Sequence, residues 1–171
     1  MNKYIFVGFF SLISFAVVAQ KYNTLAGIRI GDDFGISFAQ RVAKKTTVEL
    51  NHQPGTFAGK ELTTIFAKQH YPLLTKRVNF FMGAGLYSRS AVEQTAEYER
   101  AVRSNGLAMT FGAEISLGRL SISTDYQPLV TFNKNDSNQR FYTTSGLSLR
   151  YILVPRASST KKFFRMLFGK D

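Results

Sequence analysis

Apolar side chains alternate with small or polar ones along most of this chain. Every odd-numbered residue from Leu107 to Ile115 is apolar, whereas the even-numbered ones between them are Ala, Thr, Gly and Glu. The alternation resumes after a short turn and continues from Leu120 to Tyr126. Because successive side chains of a β-strand point to opposite faces, this period of two predicts two strands and a hairpin with one apolar face.

Eight segments share this period and are bounded by turn residues. They are residues 24–31, 34–42, 46–53, 61–71, 77–88, 105–116, 119–132 and 140–154. Most reach the roughly 9 to 11 residues that a tilted strand needs to cross a bilayer. The second, fourth and sixth connections are short, and the third, fifth and seventh are longer and more polar. The first connection, GDD, is an exception, because it is short where a longer loop is expected. The alternation of short and long connections nevertheless predicts an all-β, closed, eight-stranded antiparallel transmembrane barrel with short periplasmic turns.

The polar faces of these segments indicate what lies inside the barrel. They are rich in Gly, Ser and Ala, whereas the polar face of a soluble sandwich usually carries long polar side chains. Small residues suit a narrow barrel, whose interior eight strands just allow side chains to fill. The apolar faces should then meet hydrocarbon, including Leu107, Met109, Phe111, Leu120 and Ile122.

Charged residues on the polar faces should pair inside the barrel, because each unpaired charge removed from water costs several kcal/mol. We therefore predict an internal salt-bridge network and no open pore. The residues of this network are Arg29, Glu49, Glu114, Asp125 and Arg150.

Tyrosines near strand ends match the aromatic girdles of membrane barrels. The outer ends would carry Tyr87, Tyr126 and Tyr142, and the inner ends Tyr71 and Tyr151. Pro128 cannot donate to a ladder, so strand seven should be bulged there or already above the membrane.

The N-terminal residues have the order of a secretory signal. Lys3 precedes an uncharged run from Tyr4 to Ala19, with Val17 and Ala19 as small residues where a signal peptidase reads. The run is shorter than the roughly 20 residues of a spanning helix. We expect a cleavable signal peptide at 1–19, an outer-membrane barrel at 20–155 and a basic amphipathic tail at 156–171.

The net charge of +11 becomes +10 when residues 1–19 are removed, since Lys3 is their only charged residue. In an exported protein such a charge favours contact with anionic lipid or lipopolysaccharide phosphates. No RNA-binding or zinc-finger pattern points to nucleic acid. Basic residues near the outer end that could contact anions are Arg89, Arg100, Arg103, Lys134 and Arg140.

The phrases GIRIGDDFGISFAQRV at 27–42 and GAEISLGRLSISTDYQP at 112–128, together with the signal and the eight strands, carry a resemblance. The chain resembles the small outer-membrane β-barrel proteins common in Bacteroidetes and, more distantly, the OmpA/OmpX-type barrels. The resemblance covers residues 21 to 154. It implies a Gram-negative outer-membrane location and insertion by the barrel-assembly machinery. The alternation of short and long connections separately predicts that both termini lie in the periplasm.

The C-terminal residues depart from that family, whose last strand typically ends on an aromatic residue. Here the chain passes Tyr151 and continues into a basic segment. If residues 161–170 are helical, they form an interfacial amphipathic pattern that could also dock an envelope-complex partner; the alternative is a disordered basic tail. The apolar side of this tail is Phe163, Phe164, Leu167 and Phe168.

The sequence of the fifth connection, residues 88–104, is compatible with two structures. Glu99 and Arg103 are spaced to pair on one helix face. The segment therefore forms either a short helix above the barrel or an extension of strands five and six.

Catalytic and cofactor signals are weak. His52 and His70 should lie at opposite ends of the barrel, and the chain has no Cys to complete a metal site or a disulfide. GAG at 83–85 lacks the helix of a nucleotide loop. We expect no enzyme activity and no cofactor, and a structural or binding role through the outer loops. The alternatives are a soluble lipocalin-like carrier of an apolar ligand and a lipid A-modifying enzyme that uses His52.

Overall fold

The computed structural model describes residues 22–57, 59–73, 78–95, 98–132 and 140–155. The predicted signal peptide and the C-terminal tail lie outside them. In these ranges no helix has the length and apolar character to cross a membrane. The strands are β1 (Tyr22–Ile30), β2 (Phe34–Arg41), β3 (Thr46–Gln53), β4 (Lys60–Pro72), β5 (Val78–Thr95), β6 (Tyr98–Leu117), β7 (Leu120–Thr131) and β8 (Phe141–Pro155).

The eight strands form one closed antiparallel barrel. Each strand pairs with its neighbours in the chain, and β8 pairs with β1 to close the sheet. The strands are staggered along the barrel. A path that steps from each residue to its partner on the next strand, once around the barrel, returns to β1 ten residues away from where it began. A stagger of this kind tilts the strands by about 35–45° from the axis. The predicted closed eight-stranded antiparallel barrel is confirmed.

The two ends of the barrel differ. One end, here called the terminus end, holds the start of β1, the end of β8 and the connections after β2, β4 and β6. The other, the loop end, holds the connections after β1, β3, β5 and β7. At the loop end β5 and β6 continue as a paired hairpin as far as Thr95 and Tyr98. Of the two readings of the fifth connection, the strand extension is therefore the one observed.

The barrel turns most of its large apolar side chains outward and most of its polar side chains inward. The five residues predicted to face hydrocarbon are all exposed, from 36% for Ile122 to 55% for Met109. Most of the buried side chains are polar or charged. This is the opposite of a lipocalin-like carrier, which would keep its apolar face inside.

The girdle prediction is wrong for two of the five tyrosines. Tyr87 is 3% exposed and Tyr142 packs beside it inside the barrel, so neither belongs to an outward-facing girdle. Tyr71, Tyr126 and Tyr151 do face outward.

Pro128 causes no bulge. The β6–β7 pairing breaks between Ala108↔Leu129 and Phe111↔Tyr126, yet it resumes in the same register. The missing N–H therefore interrupts the ladder without inserting a residue. Pro128 remains opposite Thr143 of β8.

A bulge occurs instead at the start of β1. The β1–β8 register shifts on both sides of Thr24. Tyr22 and Leu25 are consequently both buried, although regular alternation would place residues three apart on opposite faces. The bulge turns the Tyr22 ring into the barrel.

Glycines stand opposite the longest interior side chains. Three charged residues pair with glycine on the next strand: Arg29↔Gly35, Lys68↔Gly83 and Arg150↔Gly27. Three aromatic residues do the same: Phe66↔Gly85, Phe81↔Gly112 and Tyr87↔Gly106. A Cβ on Gly112 would lie 2.5 Å from the Phe81 ring, and one on Gly106 2.7 Å from the Tyr87 ring. These glycines supply the space that long side chains need inside a narrow barrel.

Candidate functional site

The barrel interior contains a group of six charged residues, here called the ionic core. All six are buried, with three cations and three carboxylates. The group comprises Arg29, Glu49, Lys68, Glu114, Asp125 and Arg150. The structure thus places all five predicted interior residues inside the barrel and adds Lys68.

The first part of the ionic core is a bidentate pair between β1 and β7. Arg29 donates from Nη1 to Asp125 Oδ2 at 2.5 Å and from Nη2 to Asp125 Oδ1 at 2.8 Å. Gln127 also donates to Asp125 Oδ1, at 2.9 Å. Paired forks of this kind are the strongest geometry for an arginine and a carboxylate.

The second part centres on Glu49 of β3. Its Oε1 atom lies 2.6 Å from Lys68 Nζ and 2.9 Å from Arg150 Nη2. Arg150 Nη1 is also 3.9 Å from Glu114 Oε2, which accepts a hydrogen bond from the Tyr22 hydroxyl at 3.0 Å. The β1 bulge that turns Tyr22 inward therefore gives Glu114 Oε2 a hydrogen bond, whereas Glu114 Oε1 has no hydrogen-bond partner among the described residues.

Arg150 also forms hydrogen bonds with serines of the barrel wall. Its Nε donates to Ser37 Oγ at 2.7 Å and its Nη1 to Ser123 Oγ at 3.1 Å. The ionic core and these two serines come from β1, β2, β3, β4, β6, β7 and β8. Charged side chains therefore cross the bore from nearly every strand.

Lys68 is the interior charge that the sequence analysis missed. Inward Leu62, Thr64 and Phe66 alternate with outward Thr63 and Ile65, so neither face of β4 is clearly polar. The pairing with β3 explains why Lys68 faces the interior. Lys68 stands opposite Thr47, whose side chain is buried, and its ammonium reaches Glu49. Its ammonium also lies 4.4 Å from the centroid of the Phe81 ring, a cation–π contact.

The two histidines lie at opposite ends and on opposite faces. His70 is buried at the terminus end between the rings of Tyr22 and Phe81, with centroids 6.4 and 5.6 Å away. His52 points outward near the loop end, with Nδ1 2.9 Å from Thr63 Oγ1. Among the residues the structure describes, no three His, Cys, Asp or Glu side chains are grouped to hold a metal.

The structure describes the side chains of three of the five residues predicted to contact anions. Arg103 and Arg140 are exposed toward the loop end, and Arg89 is half-buried. Arg100 lies in the β5–β6 hairpin opposite Glu93, and Lys134 lies outside the described residues.

A polar cavity of about 450 Å³ opens at the loop end of the barrel. Its lining combines cations, carboxylates, hydroxyls and apolar side chains, and we call it the mouth. It is lined by Asp32, Asp33, Gln53, Lys60, Leu62, Arg89, Leu129, Tyr142, Thr143 and Thr144. The sequence offered no signal for it, since these residues come from six separate segments.

Comparison with known proteins bears on the fold. No family model and no curated protein matches the sequence. The barrel is similar to the N-terminal β-barrel domain of Pseudomonas aeruginosa OprF, with 11% identity and a TM-score of 0.61, covering 77% of this chain and 98% of that one. It is also similar to Neisserial surface protein A, NspA, with 16% identity and a TM-score of 0.48, covering 76% and 94%.

Removing one cation from the ionic core should expose how strongly the charges depend on each other. Arg150→Met leaves Glu114 without its cation in the low-dielectric interior, which should reduce the free energy of unfolding by about 3–5 kcal/mol. Adding Glu114→Gln should recover part of that loss, because the unpaired charge is then absent. Urea unfolding of the folded protein in lipid vesicles measures both variants.

Arg119→Met is the matched control, since Arg119 is exposed at the terminus end and donates to the Tyr151 hydroxyl at 3.1 Å. It should change the free energy of unfolding by less than about 0.5 kcal/mol. A loss below about 1 kcal/mol for Arg150→Met would contradict the dependence of the fold on the ionic core.

Proposed function

We propose that this protein is an integral outer-membrane barrel that works through its loop end. The observation that carries the proposal is the inversion of the two faces, with apolar side chains exposed outside and paired charges sealed inside. The likeness to the OprF domain, an outer-membrane barrel, supports it. So does the resemblance of residues 27–42 and 112–128 to small outer-membrane barrels of Bacteroidetes.

The outward face suits hydrocarbon and not water. Leaving a large aliphatic or aromatic side chain exposed forgoes about 1.5–3 kcal/mol of burial, and this barrel exposes such side chains on every strand. Lipid removes that cost. A closed barrel also satisfies its backbone groups between strands, which a bilayer requires of any spanning sheet.

The proposed orientation places the terminus end in the periplasm and the loop end outside the cell. Short turns on the periplasmic side and longer loops outside are usual for such barrels. Insertion by the barrel-assembly machinery is part of the same proposal. The C-terminal tail remains a prediction as a lipid anchor or an envelope-partner contact.

The proposed role is structural or surface-binding, without conduction or catalysis. The ion pairs of the ionic core join strands on different sides of the barrel, which supports the proposal of a filled interior without an open pore. His52 hydrogen-bonds Thr63 on the outer face, and the proposal assigns it no chemistry.

The basic residues of the loop end supply the proposed binding partner, lipopolysaccharide phosphate. Arg103 and Arg140 are exposed there, and the guanidinium of Arg89 lies at the mouth. Arginine forms charge-assisted, often bidentate bonds with phosphate. A strongly basic protein also attracts anionic headgroups at longer range.

Gel migration tests the membrane-barrel proposal. Mature protein refolded in detergent should migrate differently with and without boiling, because a closed barrel resists dodecyl sulfate until heated. The unboiled form should also resist protease. Folded protein that stays soluble without detergent would contradict the proposal.

Lipopolysaccharide binding tests the role of the basic loop end. Replacing Arg89, Arg100, Arg103, Lys134 and Arg140 by Gln should weaken binding at least tenfold, measured by titration in detergent at low salt, because phosphate contacts depend on these charges. The matched control also replaces five basic residues by Gln. These are Lys44, Lys45 and Arg119 of the terminus end, with Lys76 and Arg77 from the sequence between β4 and β5. Equal weakening in both variants would reduce the effect to net charge and overturn the assignment.

A further inference from the structure

We propose that the mouth binds a small zwitterion with an apolar side chain, of the class of amino acids and short peptides. The mouth has two cations, two carboxylates, an unpaired hydroxyl and apolar side chains within one cavity of about 450 Å³. Ligand pockets are typically of this size and combine apolar lining with a few polar groups. The proposal rests on the proposed function only in requiring that the loop end be reachable from outside.

Arg89 is the anchor for an acidic group. It belongs to β5, but its guanidinium carbon lies 4.3 Å from the ring centroid of Tyr142 on β8, so the side chain reaches across the mouth. Stacking fixes the plane of the guanidinium and leaves its N–H edge without a hydrogen-bond partner among the described residues. Lys60, at the start of β4, lines the same cavity and adds a second positive charge.

Asp32 supplies the opposite charge from the β1–β2 turn. This turn is held in place by its neighbour Asp33, whose carboxylate accepts from the N–H of Phe34 at 2.7 Å and of Phe57 at 3.1 Å. Gln53 also donates to the Asp33 carbonyl at 2.6 Å. Asp33 is thus occupied in fixing the turn, whereas Asp32 is exposed and lines the cavity.

Thr144 adds an unpaired hydroxyl to the wall of the mouth. The residue is 95% buried, and its Oγ1 has no hydrogen-bond partner among the described residues. Buried polar groups are nearly always hydrogen-bonded, and an unpaired one costs about 1–3 kcal/mol. A polar group of a bound molecule would satisfy it.

The combination of groups selects the ligand class. A simple anion would meet Arg89 and Lys60 but would also lie near the Asp32 carboxylate. A molecule with an acidic group and an ammonium group satisfies both sides, and its apolar side chain can pack on Leu62 and Leu129, which line the same cavity. A dipeptide carries all three features.

Calorimetric titration of the refolded protein with glycyl-leucine tests the proposal. The dipeptide should bind, whereas N-acetyl-glycyl-leucine and glycyl-leucinamide, which each lack one charge, should bind at least fivefold more weakly. Arg89→Gln should weaken dipeptide binding at least tenfold, as expected for hydrogen bonds to a charged group. Thr144→Val, which keeps the shape and removes the hydroxyl, should weaken it about threefold to tenfold.

Arg103→Gln is the control, because Arg103 is a loop-end arginine that does not line the mouth. It should leave dipeptide affinity unchanged. The zwitterion site would be overturned by any of three results: no binding of glycyl-leucine, a blocked dipeptide that binds as tightly as glycyl-leucine, or inorganic phosphate that binds as tightly as glycyl-leucine. Gel migration and lipopolysaccharide binding of the same preparations separate that failure from failure of the membrane-barrel proposal.

Discussion

Pairing of charges inside a narrow barrel is the constraint on which the rest of this structure depends. Arg150 illustrates it, because one side chain contacts Glu49 and Glu114 and also reaches serines on β2 and β7. A buried charge is tolerated only when its partners are close and its remaining donors are satisfied. The β1 bulge, which brings the Tyr22 hydroxyl to Glu114, serves that requirement.

The same constraint explains the distribution of glycine. Long charged and aromatic side chains converge on the axis, and the interior of eight strands has no room for a large residue beside each of them. Glycine opposite Arg29, Lys68 and Arg150 provides the space for charges, and glycine opposite aromatic residues provides it for rings. Interior composition therefore follows from geometry, and the outward face is free to be apolar.

Sequence periodicity was sufficient for the fold because a period of two persists through eight segments. It located the strands and, for five charged residues, the face on which the structure finds them. It was insufficient where both faces look alike, as in β4, so Lys68 was missed. It also misassigned Tyr87 and Tyr142, because position near a strand end does not tell which face a tyrosine occupies. The mouth depends on register between distant strands, which local pattern does not contain.

The central claim is that the odd-numbered residues of β6 from Leu107 to Ile115 face hydrocarbon, and spin-label accessibility tests it most directly. The chain has no Cys, so single cysteines at Leu107, Met109, Phe111 and Ile115 can each carry a nitroxide in lipid vesicles, with Arg103 as the position nearer the loop tip. Molecular oxygen should collide with the label more than a water-soluble nickel chelate does at the four apolar positions, and less at Arg103. Nickel access at all five positions, as for a label in water, would contradict the account.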